Sequence, residues 1–172
     1  MARARRARWA AALSFALCGC AATSPEGEPR EGRVLRVVDG DTLKVRVAGG
    51  DVKTVRLLGI DTPESKRPGA PVECGSRRAG AALRRLVDGR SVVLVEDSSQ
   101  DAVDRFGRVL AYVELGDDDV GEAMVASGWA SPYVYGRVPF ARVGAYRAAS
   151  RAARGRGAGV FGTCGGDFHR AA

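Results

Sequence analysis

Between Val38 and Glu64 the sequence concentrates residue types that can do chemistry on a phosphate. Two carboxylates, Asp39 and Asp41, precede the alternating run Leu43–Val47, and two more, Asp61 and Glu64, follow the alternating run Val52–Ile60. Arg56 lies inside the second run, an odd place for a charge unless it faces a site. Gly49-Gly50-Asp51 between the runs reads as a tight turn, which makes them antiparallel partners. The start of the first strand then lies beside the end of the second, so Asp41 and Asp61 can converge. Asp39-Gly40 reads as turn chemistry, with Asp39 in a structural or supporting part. Clustered hard oxygens beside a guanidinium suit a divalent cation and a phosphate ester.

Several elements must hold that cluster in place. Arg33–Val38 starts the first strand, and residues 61–72, with three prolines and a glycine, read as a flap beside the site. From Cys74 to Val87 the apolar residues Ala79, Leu83, Leu86 and Val87 recur at helical spacing, and Asp88-Gly89 ends the helix. Ser91–Glu96 and Val109–Leu115 read as strands, and Val120–Ser127 as a short helix stopped by Gly128. A last helix is expected from Pro139 to Arg154, ahead of a Gly-rich tail. The pattern by itself supports an α+β domain that is partly barrel. Asp117-Asp118-Asp119 reads as a hairpin turn followed by a helix N-cap. Arg147, Arg151 and Arg154 form a stripe at helical spacing, a solvated face in at most weak contact with nucleic acid.

A chain of 172 residues is one domain's worth and long enough to bury a core. Its formal charge of +7 is uneven: Arg3, Arg5, Arg6 and Arg8 fall in the first nineteen residues, which hold no acid. Of 27 basic residues, 23 remain without those four, against 20 acids, a net of +3. Composition alone therefore does not announce a nucleic-acid binder. Residues 1–20 combine the basic start with a short apolar run, Trp9–Leu17, too short for a bilayer span, and read as a signal peptide. Leu17-Cys18-Gly19-Cys20 resembles a bacterial lipoprotein box with Cys20 acylated. The alternative is cleavage near Ala21–Ala22 and a soluble secreted product. Export is expected either way, and residues 21–32 read as a flexible tether to a domain over 33–172. With Cys18 removed and Cys20 lipidated, Cys74 and Cys164 remain, and an oxidising compartment favours a disulfide between them.

The stretch Asp39-Gly40-Asp41-Thr42, followed by Arg56-Leu57 and Asp61-Thr62-Pro63-Glu64, resembles the staphylococcal nuclease (thermonuclease) family. The likeness continues through Asp104-Arg105-Phe106-Gly107-Arg108, Gly121–Val125 and Tyr133-Val134-Tyr135, covering about residues 33 to 162. It implies a five-stranded barrel of oligonucleotide-binding (OB) type with three packed helices.

The resemblance also implies roles. Asp41 and Asp61 would bind Ca²⁺ with the backbone carbonyl of Thr62, and Glu64 would be the general base. Arg56 and Arg108 would donate to the phosphate. Arg105 stands where the family has a lysine contacting a terminal phosphate, Tyr133 and Tyr135 where it flanks the nucleotide. Phe106 departs from the family's tyrosine and lacks its hydroxyl. The expected protein is a monomeric, exported, Ca²⁺-dependent phosphodiesterase that cleaves DNA and RNA to products with 3′-phosphates, held to the membrane through lipid at Cys20. The alternative is an OB-fold nucleic-acid-binding module without catalysis. The single histidine, His169, falls in the tail, which argues against a histidine-based nuclease or a His-ligated zinc site. A D-x-D phosphatase would need a parallel-sheet chain, and this is not one.

Overall fold

Leu43, Val45, Val55 and Leu57 alternate inward along two strands, and each is buried. They belong to a computed structural model that describes residues 29–65 and 69–172. The expected signal peptide and the acylated Cys20 lie outside the described residues, as does most of the expected tether.

Strands β1 (Arg30–Asp39), β2 (Thr42–Val47) and β3 (Val52–Leu57) form an antiparallel meander. Gly49 and Gly50, both at positive φ, turn the chain between β2 and β3. A two-residue strand, β4 (Ile60–Asp61), is followed by helix α1 (Ser76–Val87), strand β5 (Ser91–Val95) and strand β6 (Val109–Leu115). Strand order is β3-β2-β1-β5-β6, and β6 closes on β3 in parallel, Val55 beside Val109 and Leu57 beside Ala111. This is the closed five-stranded barrel of an α+β, OB-type domain. Two register shifts in β1, near Leu35 and Val38, bend that strand so that it serves both β2 and β5.

The remaining elements are β7 (Asp118–Asp119), α2 (Val120–Ala126), β8 (Ser131–Pro132), α3 (Val143–Gly155) and α4 (Val160–Thr163). Helix α1 packs Ala79, Leu83 and Val87 onto the barrel; α2 adds Met124 and Val125, and α3 adds Tyr146. Tyr112, Phe140 and Tyr146 stack edgewise at the junction, with centroids 5.2–6.5 Å apart. Asp119 caps α2 by accepting from the Glu122 amide at 3.0 Å, and it also takes the Tyr146 hydroxyl at 2.9 Å and Arg142 at 2.8 Å. The acidic run at 117–119 is thus a brace between α2 and α3.

Three boundaries differ from the sequence expectation by three residues or more, and one helix was not expected. β1 begins at Arg30, inside the segment read as tether, because Arg30–Arg33 pair with β5. The second strand stops at Leu57 rather than Ile60. Gly59 there has φ 76°, and a Cβ on it would lie 2.6 Å from the Phe140 ring, so the chain can turn only on glycine. The last helix starts at Val143, not Pro139, because Phe140 is buried and the Ala141 amide is committed to Asp97. Helix α4, unforeseen, seats Val160, Cys164 and Phe168 in a small second core with Cys74 and Trp129.

Candidate active site

The first link between the acids runs through the barrel ladder. Thr42 pairs with Arg56 across β2 and β3, and the Leu57 amide donates to the Asp41 carbonyl at 2.9 Å. Arg56 therefore emerges beside Asp41, which is buried, and its Nη1 pairs with Asp41 Oδ2. Its Nη2 reaches Asp61 Oδ1 at 3.2 Å and the Ile60 carbonyl at 3.3 Å. One guanidinium thus spans two carboxylates. Asp61 is not simply the end of the hairpin: after the Gly59 turn it pairs with Ser131 of β8, in a separate two-stranded sheet. Gly40 and Thr62 pack so closely that a Cβ on Gly40 would stand 2.6 Å from Thr62 Oγ1, which brings the D-G-D turn against the loop carrying Glu64.

Burial pushes Asp41 above the usual carboxylate range, and Arg56 and the Thr42 hydroxyl (2.7 Å) only partly offset this. Asp39 is pushed up to about 6, first by burial and next by a side-chain hydrogen bond with Glu64. Two carboxyls can bond only while one of them holds a proton, so that proton belongs to the pair. Arg56 is raised above its ordinary value because Asp41 and Asp61 outweigh the desolvation that would lower it. The site carries more negative charge than its arginine neutralises.

That surplus tests the site against a cation. Asp41, Asp61 and the Thr62 carbonyl offer hard oxygens, and Asp41 stays raised even beside Arg56, so a divalent cation would relieve it. Among the described residues, no three His, Cys, Asp or Glu side chains form a ready-made metal cage.

Arg108 sits just off this cluster. Its Nε and Nη2 hold Asp104 Oδ2 at 2.7 Å, while its charge still lowers the pKa of Asp41. Asp104 also accepts the Phe106 and Arg108 amides, which fixes the turn that opens β6. Phe106 is 68% exposed, with Arg105 and Arg108 at 4.7 and 5.3 Å from its ring centre. Tyr133 and Tyr135, 45% and 66% exposed, are surface aromatics rather than core ones. Tyr133 follows β8 directly and donates its amide to the Gly59 carbonyl at 2.8 Å, one strand from Asp61. The structure thus brings Asp41, Arg56 and Asp61 together, and Thr62, Glu64 and Arg108 to their edge. Arg105, Tyr133 and Tyr135 are exposed, and of these only Tyr133 is tied to the Gly59 turn beside the cluster.

Glu73 and His169 were not foreseen as part of this region. Glu73 is buried; its Oε2 accepts the Glu64 amide at 2.6 Å, and its own amide donates to the Glu64 carbonyl at 2.9 Å. This two-way clasp closes the loop that carries Glu64. Cys74 is bonded to Cys164, with Cα atoms 6.0 Å apart, and the tail runs back along 72–74 through the Cys74 and Ala172 amides. There His169 lies 3.4 Å from both Asp61 Oδ2 and Glu73 Oε1. The two leftover cysteines were the sequence signal: pinning the tail beside the flap brings its histidine to the site.

A closed barrel with an acid–arginine cluster at its mouth defines an OB-fold protein with a charged site at one end of the barrel. Within that class the chain belongs to the staphylococcal nuclease family, described as "Staphylococcal nuclease homologue", which matches residues 54–162. It is 36% identical over 103 residues to a thermonuclease of Staphylococcus hyicus, covering 60% of this chain and 59% of that protein. Over 101 residues (58% of this chain) it is 42% identical to the SPbeta prophage-derived endonuclease YokF of Bacillus subtilis (strain 168), covering 33% of it. Endonuclease YncB of the same organism is 39% identical over 101 residues, with 47% of it covered. The chain therefore spans between about a third and three fifths of these curated relatives' own length.

Proposed function

We propose that this protein is a Ca²⁺-dependent nuclease that hydrolyses phosphodiester bonds of DNA and RNA and leaves 3′-phosphates. The observation that carries this is the single guanidinium of Arg56 shared by Asp41 and Asp61, one loop from Glu64. Family membership and the relatives named thermonuclease and endonuclease support it.

Asp41, Asp61 and the Thr62 carbonyl would hold Ca²⁺, which when bound neutralises substrate charge and leaves coordination positions for water and a phosphate oxygen. Arg56 donates to the phosphate once it turns from its carboxylates. Arg108 supplies a second guanidinium, and together they stabilise the charge that builds on the phosphoryl oxygens. Glu64 accepts a proton from the attacking water as the P–O5′ bond breaks, and the 5′-oxygen leaves. The Glu73 clasp fixes the Glu64 backbone, so the carboxylate approaches from one direction. Tyr133 and Tyr135 offer exposed faces on which bases stack, and Arg105 offers a guanidinium for a phosphate. We extend the proposal to the address: export by the leader, followed by lipid anchoring at Cys20, with a monomeric domain at the surface.

Digestion of a labelled oligonucleotide with Ca²⁺ and with excess chelator tests the reaction, and mass analysis of product ends tests the direction of cleavage. Full cleavage in chelator would remove Ca²⁺ from the proposal. Ca²⁺-independent binding without any cleavage would favour the binding-module alternative.

A further inference from the structure

Residues 123–166 contain six arginines and no Asp or Glu. All 20 acids of the chain lie elsewhere, so outside this segment and the first nineteen residues 17 basic residues face 20 acidic ones. The mild positive charge of the domain is therefore not spread over it but gathered in one segment. The structure shows where it goes. Arg147, Arg151 and Arg154, on the exposed face of α3, line a groove of about 290 Å³ with Ser150 and Pro132. Arg154 is held over the Phe161 ring at 5.1 Å. Arg142, by contrast, is spent on Glu114 and Asp119.

Pro132 gives the groove its relation to the site. It belongs to β8, whose other residue, Ser131, pairs with Asp61. One short strand thus forms the wall of the arginine groove on one side and a support of the acidic cluster on the other. Along α3 the three arginines span about 10 Å of helix, wide enough for two successive phosphates of an extended strand. Among the described residues these three guanidinium groups have no acidic partner, and aligned along a concave surface they suit a row of phosphates better than a lone anion. A solvated face with no task would be expected to intersperse acids among its bases.

We propose that this groove is a second nucleic-acid-binding site, a track that grips the phosphate backbone of the strand flanking the bond to be cleaved. The inference rests on the nuclease reading for its substrate, and it adds a length dependence: long strands engage the track, and fragments of two or three nucleotides do not reach it. Recognition is of the backbone, so it is independent of base sequence.

The test uses Glu64→Gln protein, so that the probe is not consumed. Fluorescence anisotropy reads the Kd of a 5′-labelled 20-nucleotide oligo(dT) and of a labelled trinucleotide across a salt series. Adding Arg147→Glu and Arg151→Glu should weaken the 20-mer at least tenfold. It should also reduce the slope of log Kd against log salt by about 1.4, the share of two phosphate contacts on a single strand. The trinucleotide should shift less than twofold. Arg147→Lys with Arg151→Lys keeps the charges and should retain most of the salt slope, and circular dichroism confirms that the Glu variant is folded. An unchanged 20-mer Kd would overturn the track, as would equal losses on both probes. So would loss of binding to phosphatidylglycerol vesicles with the 20-mer unaffected, which would assign the face to a membrane. If the wild-type protein cleaves nothing, the nuclease reading fails by itself, while the 20-mer titration still reads the groove.

Discussion

Just beyond β5, Asp97 is buried and accepts four hydrogen bonds: from Ser99 Oγ (2.6 Å), the Tyr112 hydroxyl (2.6 Å), the Ala141 amide (2.7 Å) and the Ser99 amide (2.9 Å). At the mouth of the barrel, Asp41 and Asp61 share Arg56, and Asp39 pairs with Glu64 beside them. Burial acts upward on acids in both places. At Asp97 the donors outweigh it and hold the carboxyl below its usual range. At Asp39 burial is reinforced by the hydrogen bond with Glu64, and at Asp41 burial outweighs Arg56 and the Thr42 hydroxyl, so both are raised. A buried acid whose every lone pair is met by a neutral donor serves the fold, tying β5, β6 and the approach to α3. A buried acid whose partners do not make up for its burial stays under-compensated, and a ligand from outside can supply the rest.

The comparison breaks most sharply at Arg56. Arg56→Ala removes the guanidinium shared by Asp41 and Asp61, the proposed donor to the phosphate, and should lower kcat by about 10²–10³-fold. Single-turnover cleavage with saturating Ca²⁺ measures it. Near wild-type turnover would place Arg56 with the structural ion pairs instead. Asp97→Ala should do the reverse. It leaves the Tyr112 hydroxyl and the Ala141 amide without their acceptor, so urea denaturation should show a loss of about 2–3 kcal/mol. Turnover of the folded fraction should hold within about twofold. A large fall in kcat at unchanged stability would erase the distinction between the two sets.

Acid sharpens it further. Because the folded state depresses the pKa of Asp97, its contribution is present above the ordinary carboxylate value near 3.8 and fades as pH falls through the lower folded value. Stability of the wild type should therefore drop between about pH 4 and pH 2, and Asp97→Asn should flatten that part of the curve. Urea midpoints at pH 5 and pH 3 give the difference. Equal slopes for both proteins would mean that Asp97 titrates alike folded and unfolded.

The same contrast explains what the sequence could disclose. The hairpin was legible because alternation, a Gly-Gly turn and flanking acids are local signals, and Arg56 stood out as a charge inside a strand. The break at Gly59 was not, because it answers to the Phe140 ring, 81 residues on in the chain. Nor was the register of Asp61, which is set by a two-residue pairing with β8 too short to show periodicity. The start of α3 was displaced by Asp97 reaching Ala141, a tertiary contact that overrides helical spacing. The exposure of Tyr133 and Tyr135 could not be told from composition either, since tyrosines with this spacing serve cores and rims alike.

His169 gives the smallest effect and the finest test of the comparison. It touches Asp61 and Glu73 at 3.4 Å, longer than a strong hydrogen bond, and its side chain is 58% exposed. Its place is set by backbone pairing of the tail and by the Cys74–Cys164 bond, not by its own ring. Removing an exposed partner at that distance removes at most about 1 kcal/mol. His169→Ala should therefore change kcat/KM by less than about fivefold and leave the urea midpoint nearly unmoved. Cys164→Ser should act more strongly on stability, because an open chain regains the entropy that the bond withholds from a 90-residue loop. If His169→Ala alone cost a hundredfold in kcat, the tail would belong to the acidic cluster itself. The barrel mouth would then be built from both ends of the domain rather than from the hairpin.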